Sequence, residues 1–101
     1  MNKVENLLTT MSEECAEIQQ AISKSLRFGF NNYNPQTPNK TNVDDIMVEF
    51  YQLCAVFELL QDNKVLPILS DNIILTIKNS KKEKIVQYQK LSTDIGTIQG
   101  E

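Results

Sequence analysis

Apolar residues recur every three or four positions along most of this chain, and that spacing constrains its fold more than any other feature. Over residues 4–26 they line one face of an amphipathic helix, which Gly29 ends. The positions on this face are Val4, Leu7, Leu8, Met11, Cys15, Ile18, Ile22 and Leu26. Helices with such stripes bury them against other helices, so the pattern predicts an all-α fold, an antiparallel helical bundle.

A second helix is predicted over residues 42–61, with Asn42 as its N-cap and Asp44 and Asp45 in its first turn. Its apolar stripe is wider than one neighbouring helix can cover, which indicates a central helix packed on two sides. We expect the two helices to form an antiparallel hairpin. The facing positions are predicted to be Met11, Cys15 and Ile18 on the first helix and Phe50, Cys54 and Phe57 on the second.

The segment between these helices, residues 31–42, contains two prolines and five asparagines and is predicted to be a loop. Loops of this length in a small domain are often functional. Pro67 suits the first turn of a further helix, although the spacing leaves open whether one bent helix or two short ones follow. We predict a single helical domain over residues 1–91 and a flexible tail over residues 92–101.

Charge and length limit the partners of the chain. A net charge of −3 argues against binding to a phosphate backbone, so no nucleic-acid partner is expected. No apolar run approaches the roughly 20 residues that span a bilayer, so no membrane partner is expected either. A core built from 101 residues is only marginally stable alone, and leftover apolar surface is commonly buried against a second copy. We therefore expect a homo-oligomer.

The cysteines and the lack of histidine limit the kinds of catalytic and metal sites that the chain can form. Cys15 and Cys54 both fall in apolar helical patterns and are predicted to be small buried core residues. No secretory signal pattern is present at the start, which favours a reduced, cytoplasmic setting. The chain has no histidine, which excludes His-based acid–base catalysis and His-containing zinc sites. Any metal must therefore be held mainly by oxygen.

Oxygen-bearing side chains lie at the border of the apolar stripe on both helices. The set consists of Glu13, Glu14 and Glu17 on the first helix and Asp45, Glu49 and Gln52 on the second. Spacings of three and four place the members of each helix on one side. In an antiparallel hairpin these groups converge, and several hard oxygen ligands around one point are what Mg²⁺ selects. The alternative is an acidic face that is simply solvated.

The order of these residues resembles the signature of the MazG-like all-α nucleoside triphosphate pyrophosphohydrolases, E-E-x-x-E on one helix and E-x-x-D on the next. Here the first motif is formed by Glu13, Glu14 and Glu17, and the second begins at Glu49 and ends in Gln52 instead of aspartate. The flanking segments also resemble the metal-binding helices of small phage and bacterial members, and they read SEECAEIQQAISKSLRFG and VEFYQLCAVFELL.

The resemblance covers about residues 7–60 and implies hydrolysis of a nucleoside triphosphate to a monophosphate and pyrophosphate by a dimer or tetramer. It implies the bundle type of that family, completed by oligomerisation. The ligands implied for Mg²⁺, or for Mn²⁺, are Glu14, Glu17 and Glu49, with Asp45 and Gln52 as further ligands. Glu13 is then a general base or an orienting residue.

Basic side chains are candidates for binding the substrate phosphates. Lys24 and Arg27 lie about two and three turns beyond the acids on the first helix, and Lys78 and Lys81 belong to a basic segment further along. A solvated helix face is the alternative for that basic segment. Tyr33 and its asparagine-rich loop are expected to line a base pocket, although none of these residues identifies the base.

The possible functions differ in what they require at position 52, where this chain has glutamine instead of aspartate. A glutamine offers a neutral carbonyl oxygen and no charge, so we expect weaker Mg²⁺ binding than an aspartate would give. The leading interpretation is a Mg²⁺-dependent enzyme that acts on (d)NTPs. The alternatives are a non-catalytic protein that binds or sequesters nucleotides on the same fold, and a helical interaction module whose acids are only a solvated face.

Overall fold

The computed structural model describes residues 1–99, and within them it contains helices and no strand. The helices are α1 (Lys3–Phe28), α2 (Asn42–Asp62) and α3 (Asp71–Asp94). The predicted all-α class is therefore confirmed. The chain divides into two compact units, Met1–Pro67 and Ile68–Glu101, and the division falls inside the single domain predicted over residues 1–91. None of the helices in this part of the chain has the length and apolar content needed to cross a bilayer.

The ends of α1 are fixed by local hydrogen bonds. Asn2 Oδ1 accepts a hydrogen bond from Glu5 N at 2.8 Å, which satisfies a donor of the first turn. At the other end Gly29 N donates to Ser25 O at 2.9 Å. Gly29 has a φ of 100°, a conformation that L side chains rarely adopt, so the predicted end of the helix at this glycine is confirmed.

The N-cap of α2 differs from the prediction by one residue. Thr41 is the cap: its Oγ1 accepts from Asp44 N at 3.2 Å, and its own N donates to Asp44 Oδ2 at 2.9 Å. These reciprocal bonds form a capping box. Asn42 is the first helical residue instead, and its buried side chain donates from Nδ2 to Gly29 O at 2.8 Å. Asn42 therefore ties the start of α2 to the end of α1.

The two helices pack against each other as a hairpin and bury one row of side chains each. We call these two rows the seam. On α1 the seam consists of Leu7, Met11, Glu14, Ile18, Ala21 and Ser25, which are buried or half-buried. On α2 it consists of Asn42, Asp45, Ile46, Glu49, Leu53, Val56 and Leu60. Both rows repeat at spacings of three and four, as amphipathic helices require.

The predicted set of facing residues is wrong in part. Cys15 is exposed instead of buried, and Phe50 and Phe57 keep 47% and 40% of their surface exposed, so all three lie outside the seam. The other three predicted positions are half-buried. The most deeply buried α1 side chains are Ala21 and Ser25, whose small size allows close approach of the helices. The seam therefore runs along one flank of the apolar stripe on α1.

The second unit contains α3, which is one continuous helix through the basic segment. Ser70 Oγ accepts a hydrogen bond from Ile73 N at 3.3 Å, so the helix begins after this cap and later than Pro67 suggested. It ends at Asp94, three residues into the predicted tail, and the last two residues of that tail lie outside the described residues. Every residue of α3 is exposed or half-buried.

Candidate functional site

Glu14 and Glu49 lie in the seam, where an apolar side chain would be the ordinary choice. Both are half-buried, and Glu14 Oε2 is buried without a hydrogen-bond partner among residues 1–99. The seam neighbours of Glu14 on α1 are Met11 and Ile18, which offer no hydrogen bond. Desolvating a carboxylate oxygen without compensation is costly, so a cation at this point would offset the cost. A hard divalent ion fits this donor chemistry.

The other predicted metal ligands are placed differently. Glu13, Glu17 and Gln52 are exposed. Asp45 is half-buried in the seam, but its Oδ1 already forms an ion pair with Lys40 Nζ at 3.1 Å. The structure therefore brings Glu14, Glu49 and Asp45 to the same seam and leaves the remaining three outside it.

Metal binding itself stays a prediction. Within the part of the chain that the structure describes, no group of three or more acidic or cysteine side chains is gathered closely enough to hold a metal ion. A pair of carboxylates can hold Mg²⁺ when waters and substrate phosphates complete its shell. The seam thus offers part of the predicted ligand set.

The loop between the helices, residues 29–41, is held by hydrogen bonds to itself and to the start of α2. Val43 N donates to Phe30 O at 3.1 Å, and Tyr33 and Thr41 form an isolated antiparallel bridge. The loop asparagines also bond their own backbone, since Asn32 Oδ1 accepts from Tyr33 N at 2.9 Å. The asparagine-rich composition therefore builds a defined loop conformation.

A cavity of about 500 Å³ opens between the end of α1, this loop and the start of α2. We call it the loop cavity. Its walls include Lys24, Phe28, Tyr33, Asn34, Asn42 and Asp45. Small-molecule sites in proteins have volumes in this range. Tyr33 lines this cavity, and the predicted binding of a base there stays a prediction.

The four predicted phosphate-binding residues fall into two groups. Lys24 lines the loop cavity, while Arg27 lies nearby with its Cζ atom 5.2 Å from the centre of the Phe28 ring. That distance indicates a cation–π contact between Arg27 and Phe28. Lys78 and Lys81 are exposed residues of α3 in the second unit. Lys24 is thus the basic candidate that the structure places on the wall of a cavity.

The loop cavity is surrounded by charged groups of both signs. Lys40 neutralises Asp45 through their ion pair, and Lys24 adds a further cation on the wall. Near the start of α2, hydrogen bonds from the backbone N–H and the hydroxyl of Thr41 hold the pKa of Asp44 below its usual value, so Asp44 stays ionised at neutral pH. Lys24 is thus the cation on the cavity wall that no carboxylate pairs with among residues 1–99, and it can contact an anionic group there.

The sequence predicts that the asparagine-rich loop lines a pocket, but it singles out neither Asn34 nor Asn42 within that loop, and it does not identify Phe28. Phe28 follows the last position of the helical stripe, and Asn42 was interpreted as a cap. The available signal was the density of asparagines next to two aromatic residues in one loop. That composition indicates a functional loop, but it does not show which side chains share a cavity.

A comparison of the chain with family models, curated proteins and solved structures finds no match. The resemblance to the MazG-like pyrophosphohydrolases therefore depends on the sequence alone, on the motif residues Glu13, Glu14, Glu17 and Glu49 and the segments that flank them. Membership in that family stays a prediction.

Proposed function

We propose that this chain is a Mg²⁺-dependent nucleoside triphosphate pyrophosphohydrolase of the MazG-like all-α type. The observation that carries the proposal is the placement of Glu14 and Glu49 in the seam, with one oxygen of Glu14 buried and unpartnered. Two carboxylates at a packed helix interface destabilise the packing, and this cost favours a functional role for them. Both residues also belong to the motif, Glu14 to its segment on α1 and Glu49 to its segment on α2.

Each motif residue has a role in this proposal. Glu14 and Glu49 hold the cation, with Glu17 joining them from the exposed side of α1. When bound, Mg²⁺ supplies charge neutralisation for the phosphates and lowers the pKa of the attacking water. Glu13 would accept a proton from that water as the water oxygen bonds to the α-phosphorus and the bond from this phosphorus to the α–β bridging oxygen breaks, so that pyrophosphate leaves and the monophosphate remains. Lys24 contacts a phosphate oxygen.

We also propose that the chain acts as a homo-oligomer, either a dimer or a tetramer. α2 exposes a row of apolar side chains, in which Val43, Met47, Phe50 and Phe57 keep 39%, 50%, 47% and 40% of their surface exposed. A contiguous apolar row on a single copy is typical of a surface that another chain covers. Sedimentation at micromolar concentration should give a dimer or a larger species, and a monomer would contradict this.

The enzyme proposal is tested by pyrophosphate release from the four common dNTPs with saturating Mg²⁺. The parent is expected to release pyrophosphate, and Glu49→Gln is expected to lower kcat/KM by more than about 100-fold, since residues that only support metal ligands already cost 10–100-fold. Glu58→Gln is the matched control, because Glu58 is an exposed glutamate of α2 outside the motif. Equal rates in the two variants would contradict the proposal.

A second candidate function is nucleotide binding without hydrolysis. It is favoured by the exposure of Gln52 and by the absence, within residues 1–99, of a group of three acidic side chains. In that case Mg²⁺ and nucleotide together raise the melting temperature, because both bind only the folded chain, and no pyrophosphate is released. Thermal unfolding and product assays on the same samples distinguish the two functions.

A further inference from the structure

Two aromatic side chains on the wall of the loop cavity are exposed. Phe28 and Tyr33 keep 55% and 50% of their surface exposed, and both line the cavity. Arg27 contacts the Phe28 ring. Among the described residues, the ring of Tyr33 has no such cation–π contact. An open aromatic face on a cavity wall can stack on another flat ring.

Two asparagines on the same wall are each fixed by one hydrogen bond and retain an unused group. Asn42 donates from Nδ2 to Gly29 O at 2.8 Å, and within residues 1–99 its Oδ1 accepts no hydrogen bond. Asn34 accepts at Oδ1 from Gln36 N at 2.9 Å, and its Nδ2 donates none within the same residues. The wall therefore keeps one oriented acceptor and one oriented donor for a ligand.

The third component is charge. Lys40 is occupied by Asp45 at 3.1 Å, whereas Lys24 forms no ion pair within the described part of the chain. An anionic group in the cavity therefore gains a cation that has no competing partner. A flat ring with a polar edge, joined to a negatively charged group, matches all three components of the wall.

We infer that the loop cavity binds the nucleoside end of a nucleotide. Tyr33 stacks on the base, Asn34 and Asn42 bond its polar edge, and Lys24 contacts the phosphate nearest the sugar. The inference rests on the proposed function for the nature of the ligand. Because one donor and one acceptor complement the edge of every common base, the cavity selects nucleotides over base-free phosphates more than one base over another.

Calorimetric titration in EDTA tests the inference with three probes: AMP, ribose 5-phosphate and adenosine. AMP binds, ribose 5-phosphate binds at least about tenfold more weakly because it lacks the stacking ring, and adenosine binds several-fold more weakly because it lacks the anion. Equal affinity for AMP and ribose 5-phosphate overturns the inference. Absence of AMP binding at millimolar concentration overturns it as well.

Substitutions of Tyr33 and, as a control, of Tyr88 test the stacking. Tyr33→Leu weakens AMP binding by roughly 5- to 100-fold, Tyr33→Phe preserves it, and Tyr88→Leu on α3 leaves it unchanged. Circular dichroism confirms that each variant keeps its helices. If Tyr33→Leu and Tyr88→Leu bind AMP with the affinity of the parent, the base does not stack on Tyr33 and the assignment fails.

The inference and the proposed function fail in different ways. AMP binding that depends on Tyr33, without pyrophosphate release from any dNTP, supports the loop cavity and removes the enzyme. Pyrophosphate release that depends on Glu49, with AMP affinity and KM unchanged in Tyr33→Leu, supports the enzyme and removes the cavity assignment. The two measurements therefore decide the two proposals independently.

Discussion

The α1 side of the seam and the loop cavity differ in how their polar groups are satisfied. In the seam, Glu14 Oε2 and Ser25 Oγ are buried without a hydrogen-bond partner among the described residues. Around the loop cavity, Asn32, Asn34 and Asn42 are each held by at least one hydrogen bond. The loop end of the hairpin is thus ordered by its own polar contacts, whereas the seam carries an electrostatic cost that packing must offset.

The largest expected effect concerns this cost in the seam. Glu14→Met replaces the carboxylate by an apolar side chain of similar volume, so the metal-free protein should gain about 1–3 kcal/mol in the free energy of unfolding. The same variant should lose any stabilisation by Mg²⁺. Urea denaturation with and without Mg²⁺ measures both quantities.

Glu13→Met is the matched control for that prediction, because Glu13 is the exposed neighbour of Glu14 in the sequence. Its unfolding free energy should stay within about 0.5 kcal/mol of the parent. If Glu14→Met destabilises the metal-free protein instead, the carboxylate is satisfied in the seam and the contrast with the loop cavity disappears.

The next effect concerns the charge that Gln52 lacks. Gln52→Asp should tighten Mg²⁺ binding and raise the initial rate of pyrophosphate release by about tenfold, which corresponds to about 1.36 kcal/mol of transition-state stabilisation. The cost in stability should be small because Gln52 is exposed. Initial rates on the four common dNTPs at saturating Mg²⁺ check the change, with Gln20→Asp on α1 as the control. An unchanged, easily measured rate would show that Gln52 is not a ligand.

The smallest effect tests the loop end. Thr41→Ala removes one half of the capping box and should lower the free energy of unfolding by about 1 kcal/mol at neutral pH. Thr9→Ala is the control, because the Thr9 hydroxyl donates to Glu5 O at 2.8 Å and to Met1 Sδ at 4.0 Å and caps no backbone N–H. Urea denaturation compares the two variants, and equal losses would mean that the cap contributes nothing specific.

The same variant should also change the pH dependence. The hydrogen bonds from Thr41 hold the pKa of Asp44 below its usual value, so the folded state favours the ionised carboxylate. That contribution to stability is present above about pH 4 and is lost as the pH falls through the lowered pKa. Thr41→Ala keeps the larger contribution, from the backbone N–H, and removes that of the hydroxyl, so it should lose somewhat less stability than the parent between pH 7 and pH 3. A larger loss in the variant would contradict the assigned cause.

The sequence predicted the helices better than their packing. Spacing and caps locate α1 and α2 to within about two residues, since both signals are local. The buried face depends on how closely two helices approach, and that distance is set by small residues such as Ala21 and Ser25, which a stripe of large apolar residues does not reveal. For this reason Cys15 was predicted to be buried and is exposed.

The residues of the candidate site differ in the same way in how well the sequence predicts them. The motif spacing predicts that Glu14, Glu17 and Glu49 converge between the helices; the seam contains Glu14 and Glu49, whereas Glu17 is exposed. Asn42 and Phe28 join the loop cavity only because the loop turns back and Val43 N bonds Phe30 O, a contact that no periodicity encodes. Residues of regular helices are thus accessible to sequence reasoning, while residues gathered by a loop are not.

The hydrogen bonds that close the loop also determine which end of the hairpin opens first. The bonds from Asn42 N to Asn32 O and from Val43 N to Phe30 O join residues close in sequence, so closing them costs little chain entropy and they can form early in folding. Contacts between the start of α1 and the end of α2, where Leu60 is fully buried, close a much longer stretch of chain and must form later. Amide hydrogen exchange should accordingly begin at the Leu60 end and reach Asn42 and Val43 last.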